Sequence, residues 1–196
     1  MSKLLRVGLT GNIASGKSSV VDVWRALGAH IIDADVLARA AIAPGTPGHE
    51  RVLQAFGTVD RAQLRAIVFR DPARRAQLEE IIHPEVARLR ARQEAALAAQ
   101  GARVVVNDIP LLFEAGLADQ FDVIVVVDAA RERRVDRIVQ HRGLDRAEAE
   151  RMVDAQWPAG QKRARASFVI DNNGSLRELR DKAEEVWQQI QARASA

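Results

Sequence analysis

Gly11-Asn12-Ile13-Ala14-Ser15-Gly16-Lys17-Ser18 decides the fold, because its spacing fits G-x-x-x-x-G-K-[ST], the pattern of a phosphate-binding loop. Such a loop converges backbone N–H groups on phosphate oxygens, and glycine is needed where a side chain would block that approach. Lys17 is placed to reach the β- and γ-phosphates and Ser18 to offer its hydroxyl to Mg²⁺, while the helix that follows turns its positive end toward the anion. The flanks agree with this. Leu4–Leu9 reads as a short apolar strand and Ser19–Leu27 as an amphipathic helix. The expected ligand is a nucleoside triphosphate or a molecule built like one.

Working outward, four more segments read as strands: His30–Ile32, Arg103–Asn107, Asp122–Val127 and Phe168–Ile170. Val104–Val106 and Val123–Val127 are unbroken β-branched runs, as expected of strands buried on both faces. Helical patterns separate the strands, so the fold class is α/β, a parallel sheet flanked by helices. Two stretches exceed a minimal core of about 1–36 and 102–196. A helical insertion over about 37–101 is placed to hold a second substrate: Pro44–Gly48 breaks its first helix, and Arg61–Phe69 and Pro72–Ala99 follow as helices, the latter bent or broken at His83-Pro84. An arginine-rich stretch over about 131–166 reads as a lid. Leu176–Ala192 closes the single domain of residues 1–196 as an amphipathic helix.

The composition narrows the classes. Hydrophobic residues at 47% and charged residues at 28% are ordinary for a globular chain of 196 residues. There is no cysteine, which excludes disulfides and cysteine-ligated zinc. The first residues do not read as a signal peptide and no apolar run nears the roughly 20 residues of a membrane span, so the expected location is the cytoplasm and no membrane partner is expected. A net charge of +3 with interspersed signs is the pattern of solvated helix faces, and no nucleic-acid partner is expected.

Further residues carry chemistry or structure. Asp33 and Asp35, two apart in extended chain after the second strand, would both face the phosphates, one as proton acceptor or holder of metal-bound water. The alternative is that Asp35 caps a helix over Val36–Ile42. Asp108 ends an apolar strand, where a carboxylate organises metal, or is a turn residue before Pro110. Arg137 and Arg142 are either inward-pointing lid arginines or part of a solvated face. Leu111–Phe113 lines a groove or belongs to the core. His83 before Pro84 reads as a loop residue, and Asp171–Gly174 as a turn.

Taken together, Gly8–Ser18, Asp33-Ala34-Asp35-Val36-Leu37-Ala38-Arg39, Pro44-Gly45, His83-Pro84, Asp108-Ile109-Pro110-Leu111-Leu112-Phe113-Glu114 and Asp171–Gly174 resemble the dephospho-CoA kinases nearly end to end. The two acidic motifs are the more specific part, since many families share the phosphate loop. The resemblance implies a P-loop NTPase fold and Mg²⁺-dependent transfer of phosphate from ATP to the ribose 3′-hydroxyl of dephospho-CoA, giving CoA and ADP in the final step of coenzyme A synthesis. It implies Asp35 as base with Asp33 beside it, Lys17 and the amides of Gly11, Asn12, Ile13, Ala14, Ser15, Gly16 and Ser18 on ATP, and Ser18 on Mg²⁺. Arg142 matches the lid arginine. Arg39, His83, Asp108, Leu111, Leu112, Phe113 and Glu114 fall on the acceptor side, and Asn172 and Asn173 near the adenine. Partners are small molecules, with at most a weak homo-oligomer.

This chain departs from the family pattern in having Asn12 and Ala14 where glycine is common, and in a shorter Phe56–Arg61 segment. The rivals are another small-molecule kinase, a nucleotide-sensing module, and a nucleic-acid-stimulated ATPase. No Asn-Lys-x-Asp guanine motif supports a GTPase.

Overall fold

Val105, Val106, Val125 and Val127 are wholly buried, and around them a computed structural model, describing residues 4–195, builds a five-stranded sheet. The strands are β1 (Leu5–Gly11), β2 (His30–Asp33), β3 (Val104–Asp108), β4 (Val123–Asp128) and β5 (Phe168–Asp171), in the order β2-β3-β1-β4-β5. β1 lies parallel to both β3 and β4, with Val7 opposite Val106 on one side and Val123 on the other. β4 and β5 are parallel, with Asp128 opposite Asp171. A central strand flanked on both edges has no polar face, which is why β3 and β4 read as continuous apolar runs rather than alternations.

The chain divides by its contacts into two units, one of residues up to Ile31 together with those from Gln100 onward, the other of Ile32–Ala99. Besides the sheet, the first holds α1 (Lys17–Ala26), α6 (Arg131–Arg142), α7 (Arg146–Asp154), α8 (Ala159–Ala164) and α9 (Leu176–Ser195). Its core joins the valines to Trp24 of α1 and Trp187 of α9, rings 5.6 Å apart, and Trp24 Nε1 donates to Ala183 O. Gly8 is required by close packing, because a Cβ there would come within 2.6 Å of Leu112.

The second unit holds α2 (Ala34–Ala41), α3 (Pro47–Phe56), α4 (Arg61–Arg70) and α5 (Pro72–Ala99). The Pro44–Gly48 break does end one helix, and it also starts the next. Thr46 caps α3, Pro47 takes a first-turn position, and Gly48 lets α3 approach α2, since a Cβ there would lie 2.2 Å from Ala41 O. The short Phe56–Arg61 connection is fully used: Gly57 ends α3 at φ 71° and the Asp60 side chain caps α4. α5 spans Pro72–Ala99 as expected, and of the bend or break expected at His83-Pro84 it shows no break. It is one helix of 28 residues with Pro84 inside, and His83 is an exposed helical residue, not a loop residue. Among the described residues no helix is long and apolar enough to cross a membrane. The expectations for residues 1–3 and 196 lie outside the described residues.

Candidate active site

β1 ends at Gly11, and the chain turns through Asn12–Ser15 before α1 begins at Lys17. Ser15 N–H donates to Asn12 O at 3.0 Å, closing a four-residue turn. Ala14 sits in it at φ 58°, a left-handed conformation that costs a non-glycine residue about 1–2 kcal/mol. Gly16 follows at φ 95° and no side chain caps α1. The N–H groups of Lys17 and Ser18 therefore have no intrahelical acceptor, and they face the helix's positive end. Gly16 has a second reason to be glycine: a Cβ would lie 2.1 Å from Asn172 Nδ2. This is a cradle for an anion, built by main chain.

Asp108 lies at the end of β3, one step across the sheet from Leu9, and its carboxylate pairs with Lys17 Nζ in a partly buried salt bridge. Beside the loop opens a cavity of about 490 Å³, lined among others by Gly16, Ser18, Arg137, Arg142 and Asn172. It lies past the carboxyl ends of the strands, where open α/β sheets bind ligands. Among the described residues, the buried Ser15 hydroxyl and the Asn12 side-chain oxygen have no hydrogen-bond partner.

Residues 5–178 match the family model of dephospho-CoA kinases. The dephospho-CoA kinase of Syntrophotalea carbinolica is 45% identical over 186 residues, 91% of this chain and 88% of that protein. The chain belongs to the dephospho-CoA kinase family. Among solved structures, TT1252 of Thermus thermophilus is 36% identical with a TM-score of 0.81, covering 95% of this chain and 97% of that one. The dephospho-CoA kinase of Campylobacter jejuni is 25% identical with a TM-score of 0.64, covering 94% and 96%. The fold is that of the P-loop kinases, and membership in a kinase family implies ATP as a substrate.

Within this dephospho-CoA kinase fold, the residues expected at the site fall into distinct surroundings. Gly11–Ser18, Lys17 and Asp108 come together in the first unit. Asn172 is buried, its side-chain amide donating to Ser15 O at 2.8 Å and its backbone N–H to Asp128 O. It shapes the phosphate loop. Asn173 is exposed, with its side-chain oxygen accepting from Ala130 N–H. Arg142 is exposed at the end of α6, on the cavity wall. Arg137 points at the loop itself, donating to Ala14 O and Asn172 O at 3.0 Å each. Burial, with Arg133 nearby, lowers the affinity of that guanidinium for its proton.

The acidic motif after β3 is mostly interior. Leu112 and Phe113 are buried, and only Leu111 is exposed. Glu114 forms an ion pair at 2.6 Å with Lys162 of α8, itself almost wholly buried. The same helix region reaches Phe113 twice, through stacked Trp157 and through Arg165 over the ring. Much of the arginine-rich stretch is likewise spoken for. Arg131 pairs with Asp154, whose carboxyl the hydrogen bond holds below the usual range, and Arg163 bridges Asp128 and Asp171.

In the second unit, the two aspartates differ from the extended pair expected. Asp33 ends β2 and caps α2, its Oδ1 accepting from the N–H groups of Asp35 at 2.8 Å and Val36 at 3.0 Å. Asp35 is inside the first turn of α2, so the helix begins at Ala34 and the capping role belongs to Asp33. The reason is local: the Asp33 carboxylate satisfies the otherwise free N–H groups of Asp35 and Val36, which fixes the first helical residue at Ala34. Asp35 and Arg39 instead share the wall of a cavity of about 260 Å³ with Ile42, Arg61, Leu64 and Arg65. Sequence reasoning missed Gln156 as a partner of the loop, because it has no spacing signature.

Proposed function

We propose that this chain transfers the γ-phosphoryl group of ATP to the ribose 3′-hydroxyl of dephospho-CoA, giving CoA and ADP. The observation that carries this reading is the uncapped start of α1, with Lys17 at its first residue and Asp108 beside it, in a chain of this family. Lys17 and the loop amides hold the β- and γ-phosphates. Arg142, on the cavity wall, offsets the charge that spreads over the transferring group. In the transfer a bond forms between the acceptor oxygen and phosphorus, the bond to ADP breaks, and the hydroxyl proton passes to a carboxylate.

We assign that carboxylate to Asp35. Asp33 already accepts two backbone N–H groups, whereas Asp35 is exposed on the wall of the second unit's cavity. The apolar floor of that cavity and its arginines, Arg39, Arg61 and Arg65, suit an acceptor that carries both phosphates and an uncharged arm. His83 and the Leu111–Glu114 segment serve this reading as further acceptor-side residues.

Mg²⁺ fits the donors present. Ser18 and Asp108 offer hard oxygens, while among the described residues no group of three His, Cys, Asp or Glu gathers as a cage of its own. That is the donor set of an ion held largely by phosphate oxygens and water. Held by Ser18 with Asp108 nearby, Mg²⁺ would supply neutralisation of the phosphate charge during transfer. The enzyme is placed in the cytoplasm and acts on small molecules.

ADP release with ATP and Mg²⁺, measured with and without dephospho-CoA, tests the reading. Release that depends on dephospho-CoA, with CoA confirmed by mass, is expected. ATP binding without that dependence overturns it in favour of another acceptor or a sensor.

A further inference from the structure

The connection from α7 to α8 is clasped to the phosphate loop by a reciprocal pair of hydrogen bonds. Gln156 Oε1 accepts from Ile13 N–H at 2.7 Å, and Asn12 Nδ2 donates to Trp157 O at 3.1 Å. Each residue pair thus exchanges one side chain for one main-chain group. Asn12 is buried and Gln156 half-buried, so neither bond is a loose surface contact. The connection is itself anchored, by Trp157 stacked on Phe113 with rings 9° from parallel, and by the buried Lys162–Glu114 pair just beyond it.

The place where the clasp closes is the place that needs it. The turn closed by Ser15 N–H on Asn12 O has Ala14 at φ 58°, a position that favours glycine. A strained residue of this kind persists only when its surroundings fix it. Three successive loop residues are each held by a side chain from a different element: Ile13 by Gln156, Ala14 by Arg137 of α6, and Ser15 by Asn172 after β5. Arg137 and Asn172 take carbonyls. Gln156 takes the Ile13 N–H, and with it the orientation of the Asn12–Ile13 peptide at the start of the turn that carries the strained residue.

We propose that Gln156 is a positioning residue for nucleotide binding: its side-chain oxygen holds the Asn12–Ala14 turn in its strained form and so aims the amides of Gly16–Ser18 and the Lys17 ammonium. It acts through Ile13 and touches no reacting atom. The opposite reading of the same bond is that the Gln156 oxygen stands in for a phosphate oxygen and must leave before the nucleotide enters. The two differ in sign, since a stand-in weakens nucleotide binding and a positioner strengthens it. Two features favour positioning. The bond is one half of a reciprocal pair with Asn12, and it lies in the first half of the motif, ahead of the uncapped helix start that offers its N–H groups to phosphate. The proposal rests on the reading of this loop as the ATP site, but not on the identity of the acceptor.

The test is calorimetric binding of Mg·ADP, alongside steady-state ADP release with dephospho-CoA. Gln156→Met keeps the side chain's length and loses the acceptor. It is expected to weaken Mg·ADP about tenfold while its melting temperature stays near that of the wild type. Ala14→Gly in the same chain is expected to restore most of that loss, because glycine adopts φ 58° without strain. Should Gln156→Met fail to fold, Gln156→Ala carries the same pair of measurements. Unchanged or tighter Mg·ADP binding in the Gln156 variant overturns the proposal. So does a loss that Ala14→Gly leaves untouched, which would make Gln156 a general packing residue. If the wild type binds Mg·ADP yet releases none with dephospho-CoA, the reaction assigned above falls while the binding comparison still decides the role of Gln156.

Discussion

The two units of this chain are built to opposite rules. In the first, largely buried strands carry a loop whose working groups are backbone amides, and side chains from α6, the α7–α8 connection and the turn after β5 fix that loop residue by residue. In the second, four helices share a small core of Val52, Phe56 and Leu64, and the 28 residues of α5 include none that is fully buried. Its candidate groups, Asp35, Arg39 and His83, are exposed side chains on helices. A site made of main chain is precise because the fold makes it so. One made of exposed side chains adapts to its ligand and pays for order when the ligand arrives. Phosphate, small and alike in every nucleotide, suits the first kind; a long acceptor with distinct ends suits the second.

The largest effect should follow from removing the cation of the rigid site. Lys17→Ala deletes the cation at the start of α1 and leaves the partly buried Asp108 carboxylate without that partner. A fall in kcat/KM of about 10²–10³ or more is expected. Arg39→Ala, the matching change on the adaptable side, should raise KM for dephospho-CoA by about tenfold with kcat little altered. Assays of ADP release read both. Near-normal turnover in Lys17→Ala would break the contrast at its root.

Asp35→Asn comes next, with kcat expected to fall about 10²-fold, the low end of a general base's contribution, and ATP affinity nearly unchanged. Asp33→Ala should behave otherwise, losing about 1 kcal/mol of stability with the α2 cap and little of the chemical step. If Asp33→Ala instead stops turnover in a chain that melts normally, the roles are reversed.

How much of this was legible in the sequence follows the same division. The phosphate loop and the strands around it were readable because parallel buried strands and glycine-dependent turns leave local signatures: unbroken valine runs, and glycines at fixed spacing. The aspartate pair was legible as a pair but not in its roles. Either residue can cap a helix by type, and only the folded backbone shows that it is Asp33 that accepts the first-turn N–H groups and sets the start at Ala34. The helix over Pro72–Ala99 was legible, but not that it runs through Pro84 without a break: a local preference against proline gives way where the flanking turns pack, here with Leu78, Ile81 and Ile82 against the small core. Gln156 was not legible at all. Its bond to Ile13 spans 143 positions, and a glutamine after a helix has no pattern to betray it.

The cores offer a comparison of moderate size. Trp24→Ala opens the first unit where two tryptophans meet and Nε1 donates to Ala183 O, and should cost about 3–5 kcal/mol. Phe56→Ala, in a smaller cluster with Arg74 over its ring, should cost less and raise hydrogen exchange in α3–α5 while leaving β1 and β4 protected. Exchange that rises equally in both units after Phe56→Ala would show that they unfold as one.

The smallest expected effect concerns the start of α9, just past the turn that holds Asn172. Ser175 and Glu178 cap it reciprocally: Ser175 N–H donates to Glu178 Oε2 at 2.6 Å, and Glu178 N–H to Ser175 Oγ at 3.2 Å. The backbone hydrogen bond from Ser175, with a second from its hydroxyl, holds the Glu178 carboxyl below the usual glutamate range. A carboxyl more acidic in the folded chain than in the unfolded one stabilises the fold above its unfolded pKa. That contribution is lost as pH falls through the folded value. Glu178→Gln keeps an acceptor for Ser175 but has no charge to lose. It should melt slightly below the wild type at neutral pH and close that gap in acid, as read by melting curves at the two ends of the range. A gap that stays constant with pH would mean that the cap works by shape alone. The start of α9 would then work as the Thr46 cap does at the start of α3.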